Sequence, residues 1–393
     1  MNRPVCETAK RLARANKIVV KIGSSLITEK GRIAPKKLKR FVDFSCRLLK
    51  EGKQVILVSS GAIASATHWG LERDKKKTKP LVAKVSDLIT RQALASIGQV
   101  SLMEIYRGAF AKRGFVVGQI LFSKYSIQDR KAYLNARNTI TKLLSMGAVP
   151  IINENDPLAT DEIRLGDNDV LGAYTCGLVE ADLYLIFSDV DGFYLMDPDQ
   201  KKSKRLDVVE KITPKITQSA LGSSSPEGTG GMTTKMQAIK LNYQLSIATF
   251  LTSGRSKNLF KNVFELGEGT LFLPPQSAHG KKITGKKRWL SAQSSAKGTI
   301  YVDLGASDAL KLNKSLLAKG IVKVKGHFHT GDIVDIVELD KKSKTIVAKG
   351  LTQFDYKEIT QLVGRDSKDF EKILGYKTHQ EIVHRDNMVL VLN

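Results

Sequence analysis

Apolar residues are distributed over the first 276 positions in two alternating textures. Short, β-branched runs predict strands at Ile18–Ile22, Gln54–Val58, Phe115–Val117, Ala148–Ile152, Leu183–Phe187 and Ile247–Leu251. Between them, apolar residues recur near a 3.6-residue period over Lys36–Leu49, Ser86–Lys112, Leu134–Met146, Asn168–Leu178 and Gly231–Tyr243, which predicts helices. Apolar strands alternating with amphipathic helices predict an α/β fold. Its core would be a parallel sheet with helices on both faces, an αβα sandwich built from right-handed crossovers. Such sheets hold ligands beyond the carboxyl ends of their strands. Four of the predicted strands end in small polar residues, at Gly23-Ser24-Ser25, Ser59-Ser60-Gly61, Asn153-Glu154-Asn155-Asp156 and Ser188-Asp189. Four such ends on one rim predict a site for something charged.

After Trp289 the pattern changes. Thr299–Val302, Ile321–Val324, Ile333–Val337 and Thr345–Ala348 are short alternating runs separated by Gly-rich turns, with helices expected over Asp308–Leu317 and near Lys368–Leu374. That is the texture of a small, mostly-β domain. The stretch Pro275–Arg288 is rich in proline, glycine and lysine and reads as a linker. The expected organisation is a large domain over 1–276, a basic linker over 277–289 and a small domain over 290–393. A length of 393 residues agrees, because single cores stop growing at about 250–300 residues.

Composition changes this picture little. No apolar run approaches the ~18–20 residues that span a bilayer, so no membrane role is expected. The basic N-terminus lacks a signal-peptide core, since Lys21 interrupts the first apolar run. Cys6, Cys46 and Cys176 have unrelated spacings, which predicts neither a disulfide framework nor a CxxC metal site and fits a reducing cytoplasm. The formal charge of +24 suggests an acidic partner such as nucleic acid. Residues 1–276 carry 42 basic and 26 acidic residues, however, and residues 277–393 carry 21 and 13. The excess is spread evenly, so it singles out no binding module.

The chemistry-bearing residues say more. There is no GxxxxGK[ST] loop and no GxGxxG at a strand–helix junction. Instead, Gly228-Thr229-Gly230-Gly231-Met232-Thr233-Thr234-Lys235 runs into a helix. Its glycines let backbone approach an anion, and the helix start offers N–H groups with Lys235 in the first turn. A lysine there opposes the helix dipole and calls for a compensating anion. Lys21 lies inside the first apolar strand, where an ammonium needs a rim or a partner. Two lysines from opposite ends of the domain, converging on one phosphoryl group, would stabilise its transfer without a P-loop. The Asn/Asp clusters at 153–156 and 166–169 can hold a metal or an amine, or serve as caps and Asx-turns. His327 and His329 share one face of an expected strand without a third ligand, so no metal site is assigned.

These residues also form a set of motifs: VVKIGSS (19–25), VSSGAIA (58–64), LNARNT (134–139), INENDPLAT (152–160), LGDNDVLGA (165–173), SDVDGFY (188–194) and GTGGMTTK (228–235). In content and order they resemble the glutamate 5-kinases of the amino acid kinase family. The C-terminal segments GIVKVKGHFHTGDIV (320–334), AKGL (348–351), ILGY (373–376) and HRDN (384–387) resemble the PUA domain appended to many members. The resemblance implies an amino acid kinase fold and phosphorylation of the γ-carboxylate of L-glutamate by ATP with Mg²⁺, the first step of proline synthesis. It implies Lys21 and Lys235 as phosphate-binding lysines oriented by Asp169. Ser60, Asp156 and Asn168 would bind glutamate. Lys21, Ser188, Asp189, Thr229, Gly230, Gly231, Met232, Thr233, Thr234 and Lys235 would bind ATP. Feedback inhibition by proline, a homodimer or homotetramer, RNA binding by the PUA domain and a downstream glutamyl phosphate reductase are implied in the same way. Ser59 and Ser188 stand where relatives commonly have threonine, and both keep a hydroxyl.

Overall fold

The computed structural model describes residues 6–69, 87–123, 127, 129–158, 168–195, 203–221, 231–274, 290, 296–339, 344–376 and 379–391. The chain divides into two compact units, Met1–Ala278 and His279–Asn393. The expected linker over 277–289 lies outside the described residues.

In the first unit, helix α1 (Glu7–Ala13) leads into strand β1 (Lys17–Ile22), followed by α2 (Pro35–Lys50) and β2 (Gln54–Ser59). Next come α3 (Ala62–Trp69), α4 (Leu88–Ala111), β3 (Val117–Phe122), α5 (Arg130–Ser145), β4 (Val149–Glu154), α6 (Asn168–Val179) and β5 (Leu183–Ser188). The unit continues through β6 (Val208–Val209), α7 (Pro214–Leu221), α8 (Met232–Gln244), β7 (Ala248–Ser253) and β8 (Thr270–Phe272). Eight strands form one sheet in the order β6-β8-β7-β5-β1-β2-β4-β3. The six from β7 to β3 are parallel, as the sequence predicts. The edge departs from it: β8 is antiparallel to β7 and takes β6 with it. These two edge strands are only two and three residues long, and only a short π-helix (Lys261–Leu266) lies between β7 and β8.

β1 and β5 are apolar almost throughout because both lie inside the sheet and are covered on both faces. Val20, Ile22, Leu57, Leu185 and Phe187 face a core shared with α2 and α4. Alternation sends Lys21, the register partner of Val58 and Ile186, to the opposite face. Because the six strands run the same way, Ile22, Ser59, Asn153 and Ser188 all end at one rim, where the sequence places its polar ends.

α4 packs closely on α3 at Gly98. A Cβ added there would lie 1.8 Å from the Ala62 carbonyl oxygen and 2.6 Å from the Ala66 nitrogen. Both are helix backbone atoms, so nothing short of moving α4 makes room.

The second unit builds a five-stranded sheet from β9 (Gly298–Val302), β10 (Ile321–Gly326), β11 (Ile333–Leu339), β12 (Lys344–Leu351) and β13 (Met388–Leu390), in the order β10-β9-β11-β12-β13. Its core includes Ile300, Val302, Ile336, Phe354, Ile359 and Phe370. The helix expected over Asp308–Leu317 is instead Leu304–Lys311. Asp303 caps its start through the Ala306 N–H at 2.7 Å, and Asn313, at φ +59°, stands just past its end. Those local hydrogen bonds override the apolar spacing that continues to Leu317. β10 also stops at Gly326, so His327 and His329 fall beyond the strand expected to carry them.

Gly98→Ala should therefore destabilise the protein by on the order of 1–3 kcal/mol. Calorimetry should show a melting temperature several degrees lower, and an unchanged one would contradict this packing account.

Candidate active site

Three chain segments far apart in sequence meet on the face of the sheet carrying Lys21. Lys21 comes from β1, Asp169 from the first turn of α6, and Lys235 from the first turn of α8. Asp169 Oδ1 lies 2.6 Å from Lys21 Nζ, and Oδ2 lies 3.2 Å from Lys235 Nζ. All three residues are buried, Asp169 completely. Burial alone would push the Asp169 carboxyl up, but the two ammoniums beside it prevail and hold it below its ordinary value of 3.8. The carboxylate is also positioned from behind. The Tyr184 hydroxyl on β5 donates to the Asp169 carbonyl oxygen at 2.8 Å, passing over Gly172, where a Cβ would sit 2.1 Å from that hydroxyl.

The anion that Lys235 needs at a helix start is thus partly internal. The N-cap of α8 is Gly231, so the N–H groups of its first turn lack a capping side chain. Thr234 Oγ1 donates to the Gly231 carbonyl at 2.9 Å and Thr233 Oγ1 to Ala220 at 3.4 Å. Met232 starts the helix itself. Thr229 and Gly230 lie outside the described residues, as do Gly166 and Asp167.

A second network lies along the rim. Asn168, the residue before Asp169, donates from Nδ2 to Ser60 Oγ at 2.7 Å, to the Ser59 carbonyl at 2.9 Å and to Asn153 Oδ1 at 3.0 Å. Adjacent positions at the start of α6 therefore serve the two networks, one the lysines and one the ends of β2 and β4. Asp156 follows in a single 3₁₀ turn (Asp156–Leu158) after β4 and is half-buried. On the other flank, Ser188 is buried at the end of β5 and donates to the exposed Asp189 carboxylate at 2.9 Å. Seven of the predicted residues thus fall into three places on one rim: the lysines with Asp169, Ser60 with Asn168, and Ser188 with Asp189.

Three supporting residues were missed by the sequence reading. Asn153 lies in the Asn/Asp cluster at 153–156, whose spacing alone assigns it no role. Tyr106 and Gln99 arrive from α4. The Tyr106 hydroxyl shares a hydrogen bond of 2.9 Å with Ser59 Oγ, and burial pushes it up to about 12. Gln99 Oε1 accepts from Asn153 Nδ2 at 2.9 Å. No local signal in the sequence singles out Gln99 or Tyr106, because the helix also carries Arg91, Gln92, Ser96, Glu104 and Arg107.

Chemically, the rim offers two buried ammoniums around one carboxylate, an open helix start and a cluster of amides and hydroxyls. Such a site binds and positions anionic groups and supplies positive charge to a reacting one. Among the described residues no three His, Cys, Asp or Glu side chains form a metal-ligand set, and Asp169 is committed to its lysines. The described residues of the rim therefore do not fit a metal held by protein ligands alone.

Comparison with known proteins gives consistent matches. The amino acid kinase family model matches residues 16–251, and the PUA domain model matches residues 298–374. A glutamate 5-kinase of Carboxydothermus hydrogenoformans is 40% identical over 384 residues, covering 97% of this chain and 99% of its own. One from a Thermoanaerobacter species is 38% identical over 380 residues, covering 95% and 98%. A solved carbamate kinase from Giardia lamblia superposes with a TM-score of 0.48 at 11% identity, over 67% of this chain and 100% of that one.

Replacing Asp169 by Asn should leave two buried ammoniums without their shared counter-charge and cost about 3–5 kcal/mol. The pH dependence has a definite sign. A depressed carboxylate contributes stability that is fully present above its ordinary value of 3.8 and is lost as pH falls below it toward the folded value. Denaturant titrations from neutral pH down to about pH 3 should show the wild type losing stability more steeply below pH 4 than Asp169→Asn. Parallel profiles would contradict the depressed carboxylate.

Proposed function

The chain belongs to the amino acid kinase family, and on that premise we propose that Lys21, Asp169 and Lys235 form the centre at which it transfers a phosphoryl group. Its activity is that of a glutamate 5-kinase, phosphorylation of glutamate on its side-chain carboxylate, which serves proline synthesis. The observation that carries the site assignment is the convergence of two buried lysines on one carboxylate at the strand-end rim.

In this reading a γ-carboxylate oxygen of L-glutamate attacks the γ-phosphorus of ATP. One O–P bond forms as the bond to the β-phosphate bridging oxygen breaks, and ADP leaves with the electron pair. The carboxylate is already ionised at neutral pH, so the step needs no strong general base. That accounts for a rim of Lys, Asn, Asp and Ser without a catalytic histidine. Lys21 and Lys235 neutralise charge on the transferring group, and Asp169 fixes both ammoniums so that they need not reorganise during the reaction.

Ser60, Asn168 and Asp156 hold glutamate, with Asp156 facing its ammonium group. Ser188, Asp189 and the segment 229–235 hold the nucleotide, the start of α8 receiving its phosphates. Mg²⁺ enters as the counter-ion of ATP rather than on a protein cage. The product is a mixed anhydride, which calls for a reductase to consume it.

Self-association into a homodimer or homotetramer is supported by Ile89, Ile97 and Val100, exposed on one face of α4. Proline as a feedback inhibitor and RNA as a ligand of the PUA domain rest on family resemblance alone. A cytoplasmic location is supported by three free cysteines, and no helix among the described residues is long and apolar enough to cross a membrane.

The test is to incubate purified protein with ATP, Mg²⁺ and glutamate, aspartate or N-acetylglutamate, trapping acyl phosphate with hydroxylamine, with and without proline. Product with glutamate is expected, and product with aspartate but none with glutamate would overturn the reading. Lys21→Ala and Lys235→Ala should lower kcat by two or more orders of magnitude, whereas Asp156→Ala should chiefly raise the KM for glutamate. A Lys235→Ala enzyme with near-normal kcat would remove the assignment.

A further inference from the structure

Gln99 stands behind the rim with half of its amide unexplained. Its oxygen accepts from Asn153 Nδ2 at 2.9 Å. That orientation is not arbitrary, because Asn153 Oδ1 already accepts from Asn168 Nδ2 at 3.0 Å and from the Glu154 N–H at 2.9 Å. With its oxygen claimed by two donors, Asn153 must turn its NH₂ toward Gln99, and Gln99 must answer with its oxygen. Gln99 Nε2 is then left buried with no hydrogen-bond partner among the described residues. Buried donors without an acceptor are uncommon in folded proteins, and one fixed at a site rim calls for an acceptor that arrives with a ligand.

The sheet order says which ligand group that is. Lys21 lies on β1, Ser60 follows β2, and Asn153 is on β4, in the neighbour order β1-β2-β4. With strands spaced about 4.8 Å apart, Asn153 stands roughly 10 Å from the lysine strand. Glutamate carries a carboxylate at each end. If the γ-carboxylate is at the lysines, the group reaching the Asn153 side is the α-carboxylate end.

We propose that Gln99 Nε2 donates a hydrogen bond to the α-carboxylate of the acceptor amino acid, which makes Gln99 a specificity-determining residue. The inference rests on the reading of the site as a glutamate kinase. Gly98 contributes by letting α4 approach α3, which brings the next residue up to the rim. Asn153 and Asn168 link Gln99 to Ser60, so the same amide chain that holds the rim also orients the donor.

Gln99→Glu is the decisive variant. One glutamate oxygen can still accept from Asn153 Nδ2, so the internal network is preserved. The other replaces the donor with a negatively charged acceptor. The expected result is a glutamate KM raised by about one to two orders of magnitude, with kcat at saturating glutamate and the KM for ATP within about threefold of wild type. Isoglutamine, whose α-carboxylate is replaced by a carboxamide that can itself donate, should suffer at least tenfold less from the change. Gln99→Leu should raise the glutamate KM as well, by less than Gln99→Glu. A glutamate KM unchanged in Gln99→Glu, or raised no more than in Gln99→Leu, would overturn the proposal and assign the donor to water or to the protein itself. The wild type in the same assay separates the two levels of failure. No glutamate-dependent acyl phosphate from wild type contradicts the activity, whereas an active wild type beside an unperturbed Gln99→Glu contradicts the role of Gln99 alone.

Discussion

One fully buried carboxylate, Asp169, shared by two buried lysines, is the constraint around which the kinase unit is organised. An isolated ammonium inside a sheet is costly, and two of them are tolerated only because an anion is held between them. That requirement links elements otherwise distant. β1 must present Lys21 to the α6 side of the sheet, α6 must begin where its first turn reaches the strand-end rim, and α8 must begin close enough for Lys235 to meet the same carboxylate. Tyr184 then secures the Asp169 backbone from β5, and Gly172 leaves room for its hydroxyl.

The neighbouring Asn168 shows how economical the arrangement is. A helix start that places Asp169 between the lysines places Asn168 against Ser60 and Asn153. In the proposed assignment, the same turn fixes the phosphoryl end and the acceptor end of the site relative to each other. Positioning of this kind is the main contribution a protein can make to phosphoryl transfer, whose transition state asks for alignment and charge neutralisation.

Much of this was legible in the sequence, and the reasons for the exceptions are physical. A lysine within an apolar strand and a lysine opening a helix each violate a local preference, so both Lys21 and Lys235 stood out. The parallel centre of the sheet was legible from strands apolar on both faces. The antiparallel edge was not, because β6 and β8 are too short to carry a pattern. Gln99 and Tyr106 stayed hidden because their roles come from the crossing of α4 over other elements, which no local spacing encodes. The misplaced helix of the second unit has the opposite cause: the Asp303 cap outweighed apolar periodicity. Net charge, the most conspicuous number in the composition, located nothing, since the surplus is spread evenly along the chain.

The account stands on Lys21 and Lys235 acting as one unit through Asp169. The most direct measurement is a double-mutant cycle on kcat/KM for acyl phosphate formation, with Lys21→Met, Lys235→Met and the double variant. Residues that share one carboxylate and one transferring group should be strongly non-additive, so the double variant should be little worse than either single one. Losses that multiply independently, or a single variant with nearly full kcat/KM, would contradict it.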